Sequence, residues 1–397
     1  MLNRQIKTSS LKLSMLMRKI EKELKTTARE YPVVTIIGPR QSGKTTLARK
    51  FFHDHTYVNL ENPELRSLAL DDPKTFMLRY PVPVIFDEIQ NVPELLSWIQ
   101  VAVDEDPDMT GVYILTGSHQ LQLREAITQS LAGRTALLEL FPLALNELNK
   151  EYTLKDRETL IFKGFMPRLH DKNIRPRRLY RDYFQTYVER DVRKLMAIEN
   201  QQAFELFLKL LAGRIGHEVN YSALAGQVGI SAPQIKKWLS LLEASFLVFK
   251  LPPFFNNFGK RLTKSPKVYF VEVGLACYLL GLDNPEQLER DPAFGGLFEN
   301  MVIAEAYKSR INAGLKPSLY FYRDRYQNEI DLLYPSGSSF IPIEIKSSRT
   351  YRSEFLKGIR YFQKLSGSSI PGMLIYDGEL EMEKDEAVVK NFRNVWP

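Results

Sequence analysis

A glycine-containing stretch near the start of the chain constrains the fold more than any other feature. An apolar run, Val33–Ile37, leads directly into "GPRQSGKT", and helix-type spacing of apolar residues begins at Thr46. The pattern G-x-x-x-x-G-K-T between a buried strand and a helix is a P-loop, whose backbone N–H groups and helix N-terminus hold phosphates. The stretch therefore predicts an α/β domain with a parallel sheet and a phosphate site at the end of its first strand.

The predicted phosphate site suits a nucleoside triphosphate and Mg²⁺. Lys44 is expected to reach the β- and γ-phosphates, and the Thr45 hydroxyl is expected to ligate the metal ion. A second apolar strand, in "PVPVIFDEIQ", ends in two acids: Asp87 is predicted to hold the magnesium and Glu88 to polarise the attacking water. Lys44 and Glu88 are the predicted catalytic residues of this site. The predicted nucleotide-binding residues are Gly38, Pro39, Arg40, Gln41, Ser42, Gly43, Lys44, Thr45, Thr46, Asp87 and Ser118.

Two residues further along the chain each have two interpretations. Ser118 follows the apolar strand in "GVYILTGSH" and is either a sensor of the γ-phosphate or a turn hydroxyl. Arg134, in "SLAGRT", is either a catalytic arginine or a surface ion-pair partner, which is the commoner role of an arginine. A catalytic arginine serves its own subunit or a neighbour in a homo-oligomer, and the sequence leaves that choice open.

These motifs resemble a known family. The P-loop, "VIFDEIQNVPE", "ILTGSHQ", "SLAGRTALLELFPLALNEL", "GFMPRL" and "YVERDV" together resemble prokaryotic AAA+/STAND-like P-loop ATPases with an AAA_14-type module and a DUF4143-type C-terminal domain. The resemblance covers nearly the whole chain. It implies ATP binding and a parallel-sheet ATPase core, and it does not identify a substrate.

The middle of the chain predicts a winged helix-turn-helix. In "NYSALAGQVGISAPQIKKWLSLLEASFLVFKL", Gly229 supplies a turn between two helices, capped by Asn220 or Ser222 and by Ser231. "FLVFKL" then extends as a wing-like strand. The module either packs against the ATPase as a lid or relay, or it reads DNA with the side chains of Gln234, Lys236 and Lys237.

The last third predicts a restriction-endonuclease-like core of the PD-(D/E)xK type, because its elements run helix, three strands, helix, strand. Within it, "EIDLLYPSGSSFIPIEIKSS" predicts a hairpin that turns at Gly337–Ser338. That register places Asp331 opposite Glu344, and Glu329 opposite Lys346. Ile330 and Leu332 are expected to share the core-facing side of their strand.

The facing acids predict a second metal site. Carboxylates from Glu299 on the preceding helix and from Asp331 and Glu344 on the hairpin are hard oxygen ligands suited to Mg²⁺ or Mn²⁺. Lys346 is then the catalytic lysine, which orients a metal-bound water or stabilises charge on a phosphodiester. The alternatives are a solvated hairpin face with a Glu329–Lys346 salt bridge, or a core kept as an inactive docking module.

Charge and cysteine content indicate the partners and the compartment. The net charge is +7, and residues 168–194 hold nine basic and four acidic side chains, which suits a polyanion such as DNA, or less readily RNA, but is also typical of a solvated face. The single cysteine fits a reducing compartment. No apolar run approaches the roughly 18 residues of a membrane span, so we expect a cytoplasmic protein.

The chain is long for one core and predicts four regions. These are a leader helix at 1–28, the P-loop ATPase core at 29–165, a helical and winged-helix domain at 166–258, and the endonuclease-like domain at 259–397. The predicted function is Mg²⁺-dependent ATP hydrolysis linked to nucleic acid binding or phosphodiester cleavage. The alternative is an ATP-driven regulatory switch with an inactive C-terminal docking domain.

Overall fold

The computed structural model describes residues 17–118, 126–127, 129–148, 155–172, 174–192, 200–254 and 265–396. The strands are β1 (Val33–Ile37), β2 (Thr56–Asn59), β3 (Val84–Asp87), β4 (Tyr113–Gly117), β5 (Thr135–Glu139), β6 (Val248–Leu251), β7 (Lys267–Phe270), β8 (Tyr320–Arg323), β9 (Glu329–Ser336), β10 (Ser339–Lys346), β11 (Gly372–Tyr376), β12 (Met382–Glu383) and β13 (Ala387–Asn391). The helices are α1 (Glu21–Glu30), α2 (Lys44–Phe51), α3 (Pro63–Asp71), α4 (Pro73–Arg79), α5 (Leu95–Glu105), α6 (Arg157–Lys163), α7 (Pro167–Asp171), α8 (Pro176–Tyr183), α9 (Gln201–Ala212), α10 (Tyr221–Val228), α11 (Ala232–Ala244), α12 (Val273–Leu279), α13 (Pro285–Leu288), α14 (Phe294–Asn312) and α15 (Lys357–Ser366). A π-helix, Phe184–Val192, continues α8.

The first sheet is parallel, with strand order β2-β3-β4-β1-β5, as the P-loop predicts. Its central strands are apolar and buried along their whole length, because helices cover both faces. The segments α1 and α2 pack on one face, and α4 and α5 pack on the other. Since all five strands run the same way, the residues after β1, β3 and β4 meet at one edge.

Only part of the predicted leader helix falls within the described residues, as α1. It begins at Glu21, and the apolar side chains of Leu24 and of the preceding Ile20 are buried against the first sheet. Residues 1–16, which carry the rest of the predicted helix, lie outside the described residues.

The middle region has the predicted helix, turn, helix and strand. Asn220 caps α10 by accepting a hydrogen bond from the Ala223 N–H, Gly229 takes a left-handed φ of +79°, and Ser231 caps α11. Strand β6 follows and pairs antiparallel with β7. The predicted boundary between residues 258 and 259 therefore falls between two paired strands.

The second sheet has the order β12-β13-β11-β10-β9-β8. The predicted succession of helix, three strands, helix and strand is present as α14, β8 to β10, α15 and β11. Strands β8, β9 and β10 are antiparallel neighbours, and β11 returns parallel to β10 after α15. Helices α14 and α15 cover the two faces of this sheet.

The hairpin of β9 and β10 turns at Gly337–Ser338, and its predicted register holds from Ser336 and Ser339 back to Leu332 and Ile343. The pairing of β9 with β10 ends at that point. Three steps along β9, from Leu333 to Ile330, oppose two steps along β8, which is a bulge. The bulge turns Ile330 and Leu332 to opposite faces of the sheet, so the prediction that they share a face was wrong.

One helix joins the three regions. On α14, the Asn300 amide pairs with the Phe270 backbone of β7, with an Oδ1···N distance of 2.7 Å. One turn further on, Glu305 Oε2 accepts a hydrogen bond from the Leu145 N–H at 2.6 Å, and Lys308 Nζ donates to the Leu143 carbonyl at 2.8 Å. All three side chains are buried. No helix in the described ranges is long and apolar enough to cross a bilayer.

Candidate functional site

The P-loop backbone requires its glycines. Gly38 and Gly43 take φ angles of +150° and +96°, which side chains disfavour. A Cβ added to Gly38 would also lie 2.2 Å from the Leu140 carbonyl oxygen on the neighbouring segment. Lys44, the first residue of α2, is buried, and its Nζ donates to the Gly38 and Pro39 carbonyls at 3.0 and 2.9 Å. The loop is therefore wrapped around the lysine amine.

A buried hydroxyl in the loop is left for a ligand. Ser42 Oγ is buried and has no hydrogen-bond partner among the described residues, although buried hydroxyls are normally paired. The other predicted loop residues differ in exposure. Gln41 and Thr46 are exposed, and the Arg40 guanidinium lies over the Tyr187 ring of the π-helix, 5.5 Å from its centroid.

The predicted magnesium residues are in contact. Thr45 Oγ1 donates to Asp87 Oδ1 at 2.8 Å, so the hydroxyl at the start of α2 meets the carboxylate at the end of β3. Tyr57 Oη donates to Asp87 Oδ2 at 2.8 Å, and Thr116 Oγ1 donates to Oδ1. This cluster of hydroxyl and carboxylate oxygens beside a phosphate loop fits Mg²⁺. Tyr57, on β2, has no motif that would have marked it in the sequence.

Glu88 is held in a strained conformation beside this cluster. Its φ is +57°, in the left-handed region, which is uncommon for a residue other than glycine and is typical of functional sites. Its N–H donates to Thr116 Oγ1 at 3.1 Å, and its carboxylate accepts from Ser118 Oγ at 3.1 Å and from Gln90. Ser118 therefore contacts the predicted catalytic acid, which neither of its two sequence interpretations anticipated.

Burial changes the chemistry of the lysine amine. Desolvation by burial lowers the pKa of Lys44 to about 8, and the negative charges of Glu88 and Asp87 offset only part of that effect. An amine in that range is close to losing its proton, and a bound polyanion would restore it.

Arg134 lies at the amino ends of the parallel strands, whereas the nucleotide site of the same chain lies at their carboxyl ends. Its carbonyl accepts from the N–H of Val33, the first residue of β1, whereas the P-loop follows the last residue of that strand. At about 3.3 Å per residue the strand separates them by roughly 16 Å. The guanidinium makes a two-point ion pair with exposed Asp104, with distances of 2.5 and 2.8 Å. A catalytic role within its own chain is thus excluded.

Arg18 is a site residue that the sequence did not reveal. Its buried guanidinium donates to the Ser42 carbonyl of the P-loop at 2.9 Å and to the Phe141 carbonyl at 2.7 Å. It also forms an ion pair with Glu147, with an Nε···Oε2 distance of 3.1 Å and both side chains buried. Nothing in the local sequence signals this contact, because the partners lie 24 to 129 residues away.

In the C-terminal domain, the hairpin acids meet around a lysine. Lys346 Nζ donates to Asp331 Oδ2 at 3.1 Å and to Glu344 Oε2 at 2.6 Å. Asp331 also accepts a hydrogen bond from the Ile345 N–H at 2.8 Å, where the bulge has displaced the strand pairing. Burial, and then the neighbouring charge of Asp331, raise the pKa of Glu344 to about 8.

Two further acids, Glu299 and Glu329, meet a second lysine, which was not predicted. Lys267, from β7, lies 3.3 Å from Glu299 Oε1 and 2.5 Å from Glu329 Oε1. Tyr269 Oη also donates to Glu299 Oε1, at 2.5 Å. One alternative from the sequence was a Glu329–Lys346 salt bridge. In the structure Glu329 pairs with Lys267 instead.

The three predicted ligands, Glu299, Asp331 and Glu344, do not fit a metal ion as they stand. Within the described ranges no group of three or more His, Cys, Asp or Glu side chains is arranged to hold one. Glu299 is paired with Lys267, and the two hairpin acids are paired with Lys346. The carboxylate oxygens that a metal would need are therefore bonded to ammonium groups. The predicted Mg²⁺ or Mn²⁺ cage is corrected to an ion-pair network.

A groove of about 860 Å³ lies between the helix-turn-helix and the β8–β9 connection. Tyr221 and Lys236 line one side, and Arg323, Arg325 and Gln327 line the other. Lys236 is exposed, with its Nζ 5.2 Å from the centroid of the Tyr221 ring. Of the predicted reader residues, Lys236 lines this groove, Lys237 is exposed beside it, and Gln234 is half-buried.

Comparisons with known proteins agree with the P-loop site. Family models match an AAA domain at residues 30–149 and two domains of unknown function, DUF8612 at 154–286 and DUF4143 at 294–394. The uncharacterized protein Rv2008c of Mycobacterium tuberculosis is 31% identical over 80% of this chain and 71% of its own length. The uncharacterized protein MJ1637 of Methanocaldococcus jannaschii is 23% identical over 74% and 71%.

Among solved structures, the Walker-type ATPase PABY2304 of Pyrococcus abyssi aligns over 66% of this chain and 94% of its own, with 15% identity and a TM-score of 0.40. The family models and the mycobacterial relative decide the assignment. The chain belongs to the AAA/P-loop ATPase family, in the form that carries the domains DUF8612 and DUF4143 after the ATPase domain.

Proposed function

We propose that the chain is a Mg²⁺-dependent ATP hydrolase. The observation that supports this best is the hydrogen bond between Thr45 and Asp87, because it joins the P-loop to an acid-bearing strand two positions away in the sheet. The unpartnered Ser42 hydroxyl and the buried Lys44 amine suit phosphate oxygens.

Each residue of the P-loop site has its own role in the proposed hydrolysis. When bound, ATP and Mg²⁺ supply the transferable phosphoryl group and the charge that neutralises it. The Lys44 amine would bind the phosphates, and Thr45 and Asp87 would hold the metal ion. Glu88, kept in place by Ser118, orients the attacking water.

An ATPase assay on three variants tests this proposal. Lys44→Ala should lose nucleotide binding, and Glu88→Gln should bind ATP but turn it over slowly. Lys50→Ala, on the same helix but nearly two turns away, is the matched control and should keep the wild-type rate. Hydrolysis by Lys44→Ala at the rate of Lys50→Ala would refute the proposal.

For Arg134, the ion pair with Asp104 favours the surface interpretation. The one catalytic role left to it is at the nucleotide site of a neighbouring subunit in a homo-oligomer. That role requires the protein to form a homo-oligomer.

We further propose that α10, α11, β6 and β7 form a winged helix-turn-helix and that nucleic acid, DNA before RNA, binds in the adjoining groove. Three basic residues, Lys236, Arg323 and Arg325, line the groove against two acids, Glu218 and Asp324, and Glu218 pairs with Arg323. The exposed Lys237 extends the basic surface beside it, so the balance of charge supports the proposal. Phosphate contacts by such side chains give binding that weakens steeply with salt. Lys236→Glu should weaken binding of a DNA duplex, and Lys209→Glu, an exposed lysine on α9, should not. Equal binding by the two variants would argue against the groove.

We propose that the C-terminal domain has the restriction-endonuclease-like fold and works as a docking module, not as a nuclease. The order of α14, β8 to β10, α15 and β11 supports the fold, and the pairing of its acids with lysines supports the docking role. Contacts of Glu305 and Lys308 with the ATPase segment support a switch in which nucleotide state acts on this domain. Mn²⁺-dependent cleavage of DNA or RNA that is lost in Lys346→Ala, with ATPase activity kept, would overturn the docking role.

A further inference from the structure

A lysine from outside the C-terminal core lies inside its carboxylate cluster. Lys267 belongs to β7, whose strand partner is β6 of the helix-turn-helix module. Its side chain is only 1% exposed, which is rare for a lysine unless it is paired. The Nζ atom contacts Glu299 and Glu329, and it lies 5.4 Å from the centroid of the Phe321 ring.

The Lys267 ammonium lies between two acids that approach it from different elements, as a bound metal ion would. Glu299 reaches it from α14 and Glu329 from β9, and the negative charge of Asp331 also acts on it. Carboxylate oxygens from a helix and a hairpin are the type of donor that a hard divalent cation uses. Here the Lys267 ammonium, fixed to β7, pairs with Glu299 and Glu329, and Arg323 Nε also lies 3.6 Å from Glu329 Oε2. Lys346 compensates Asp331 and Glu344 on the other side.

We propose that the Lys267 ammonium takes the place of a divalent cation in the C-terminal cluster, and that removing this one side chain converts the cluster into a metal site. The native domain then keeps these acids neutralised by lysines and has no hydrolytic metal. The proposal does not depend on the ATPase assignment, because none of these residues touches the P-loop site.

The test is Mn²⁺ binding without nucleotide, measured by the electron paramagnetic resonance signal of free Mn²⁺ and by thermal unfolding. Every protein carries Asp87→Asn and Glu88→Gln, so that neither acid of the P-loop site offers a carboxylate to the metal. Lys267→Met should bind one Mn²⁺ per chain, and added Mn²⁺ should raise its unfolding temperature, because the metal replaces the lost charge. The reference protein with Lys267 intact should show neither effect.

Matched controls separate the charge from the position. Lys267→Arg keeps a cation and should bind no Mn²⁺, and Lys250→Met, on the paired strand β6, should behave as the reference protein does. Lys267→Met combined with Glu299→Gln should lose the gained binding. Two results would overturn the proposal: a folded Lys267→Met that binds no Mn²⁺, or a reference protein whose Mn²⁺ binding disappears with Glu299→Gln. The second result is decisive even where Lys267→Met does not fold.

Discussion

The contact of Arg18 with the P-loop leads to a quantitative prediction for Arg18→Ala. Removing one partner of a buried ion pair costs about 3 to 5 kcal/mol, because the other charge remains buried. Glu147, with a side chain only 1% exposed, would keep two backbone donors, the N–H groups of Lys19 and Ala144. We therefore expect the lower end, a loss of about 3 kcal/mol in the free energy of unfolding. ATP binding should weaken as well, because the Ser42 carbonyl loses its anchor.

Urea unfolding and titration with a fluorescent ATP analogue measure the two effects of Arg18→Ala. Arg29→Ala, an exposed arginine on α1, is the matched control and should stay within about 0.5 kcal/mol of wild type. Arg18→Met combined with Glu147→Gln should cost less than the sum of the single changes, because the double variant leaves no unpaired charge. If Arg18→Ala unfolds at the same urea concentration as Arg29→Ala, the argument from buried charge is refuted.

Three further predictions concern the P-loop site. Tyr57→Phe should bind ATP normally but lower kcat by roughly tenfold, because a hydrogen bond to a charged group contributes about 1.5 kcal/mol. An unchanged kcat would show that Tyr57 does not position Asp87 for hydrolysis. Arg134→Ala should keep the wild-type ATPase rate, whereas lost activity that returns on mixing with Lys44→Ala would indicate action on a neighbouring subunit. Since the folded pKa of Lys44 is about 8 and the unfolded value is 10.5, the unfolded chain binds more protons between these pH values. Stability of the nucleotide-free protein should therefore rise with pH across that window relative to Lys44→Met, as measured by urea unfolding, and a flat difference would contradict the burial of the amine.

Local patterns predicted the parts of the site that depend on neighbouring residues. The P-loop, the acids at the end of β3 and the hairpin turn at Gly337–Ser338 each follow from a run of fewer than about ten residues. Parallel strands also meet at one edge by necessity, which is why the sequence alone was enough to assign Thr45 and Asp87 to one site.

The contacts that the sequence did not predict join residues that are distant in sequence. Lys267 reaches Glu329 across 62 positions, and Arg18 reaches Glu147 across 129. The bulge in β9 has no signal of its own, since "EIDLL" alternates as a regular strand would. The pairing of β9 with β10 ends at Leu332, one residue short of Asp331. Arg134 lies at the start of its strand, and sequence position alone does not say which edge of a sheet a loop occupies.

Helix α14 has a consequence for how the chain can be divided. Its 19 residues form a rod of about 28 Å, with Glu299 in the carboxylate cluster and Lys308 against the ATPase segment. A fragment cut at residue 294, where the last family match begins, would keep Glu299 and Glu329 but lose Lys267, and would expose Glu305 and Lys308 to water. The C-terminal third alone therefore lacks the partners of several buried charges, and a fragment that keeps them all must include the ATPase domain and Arg18, which pairs with Glu147.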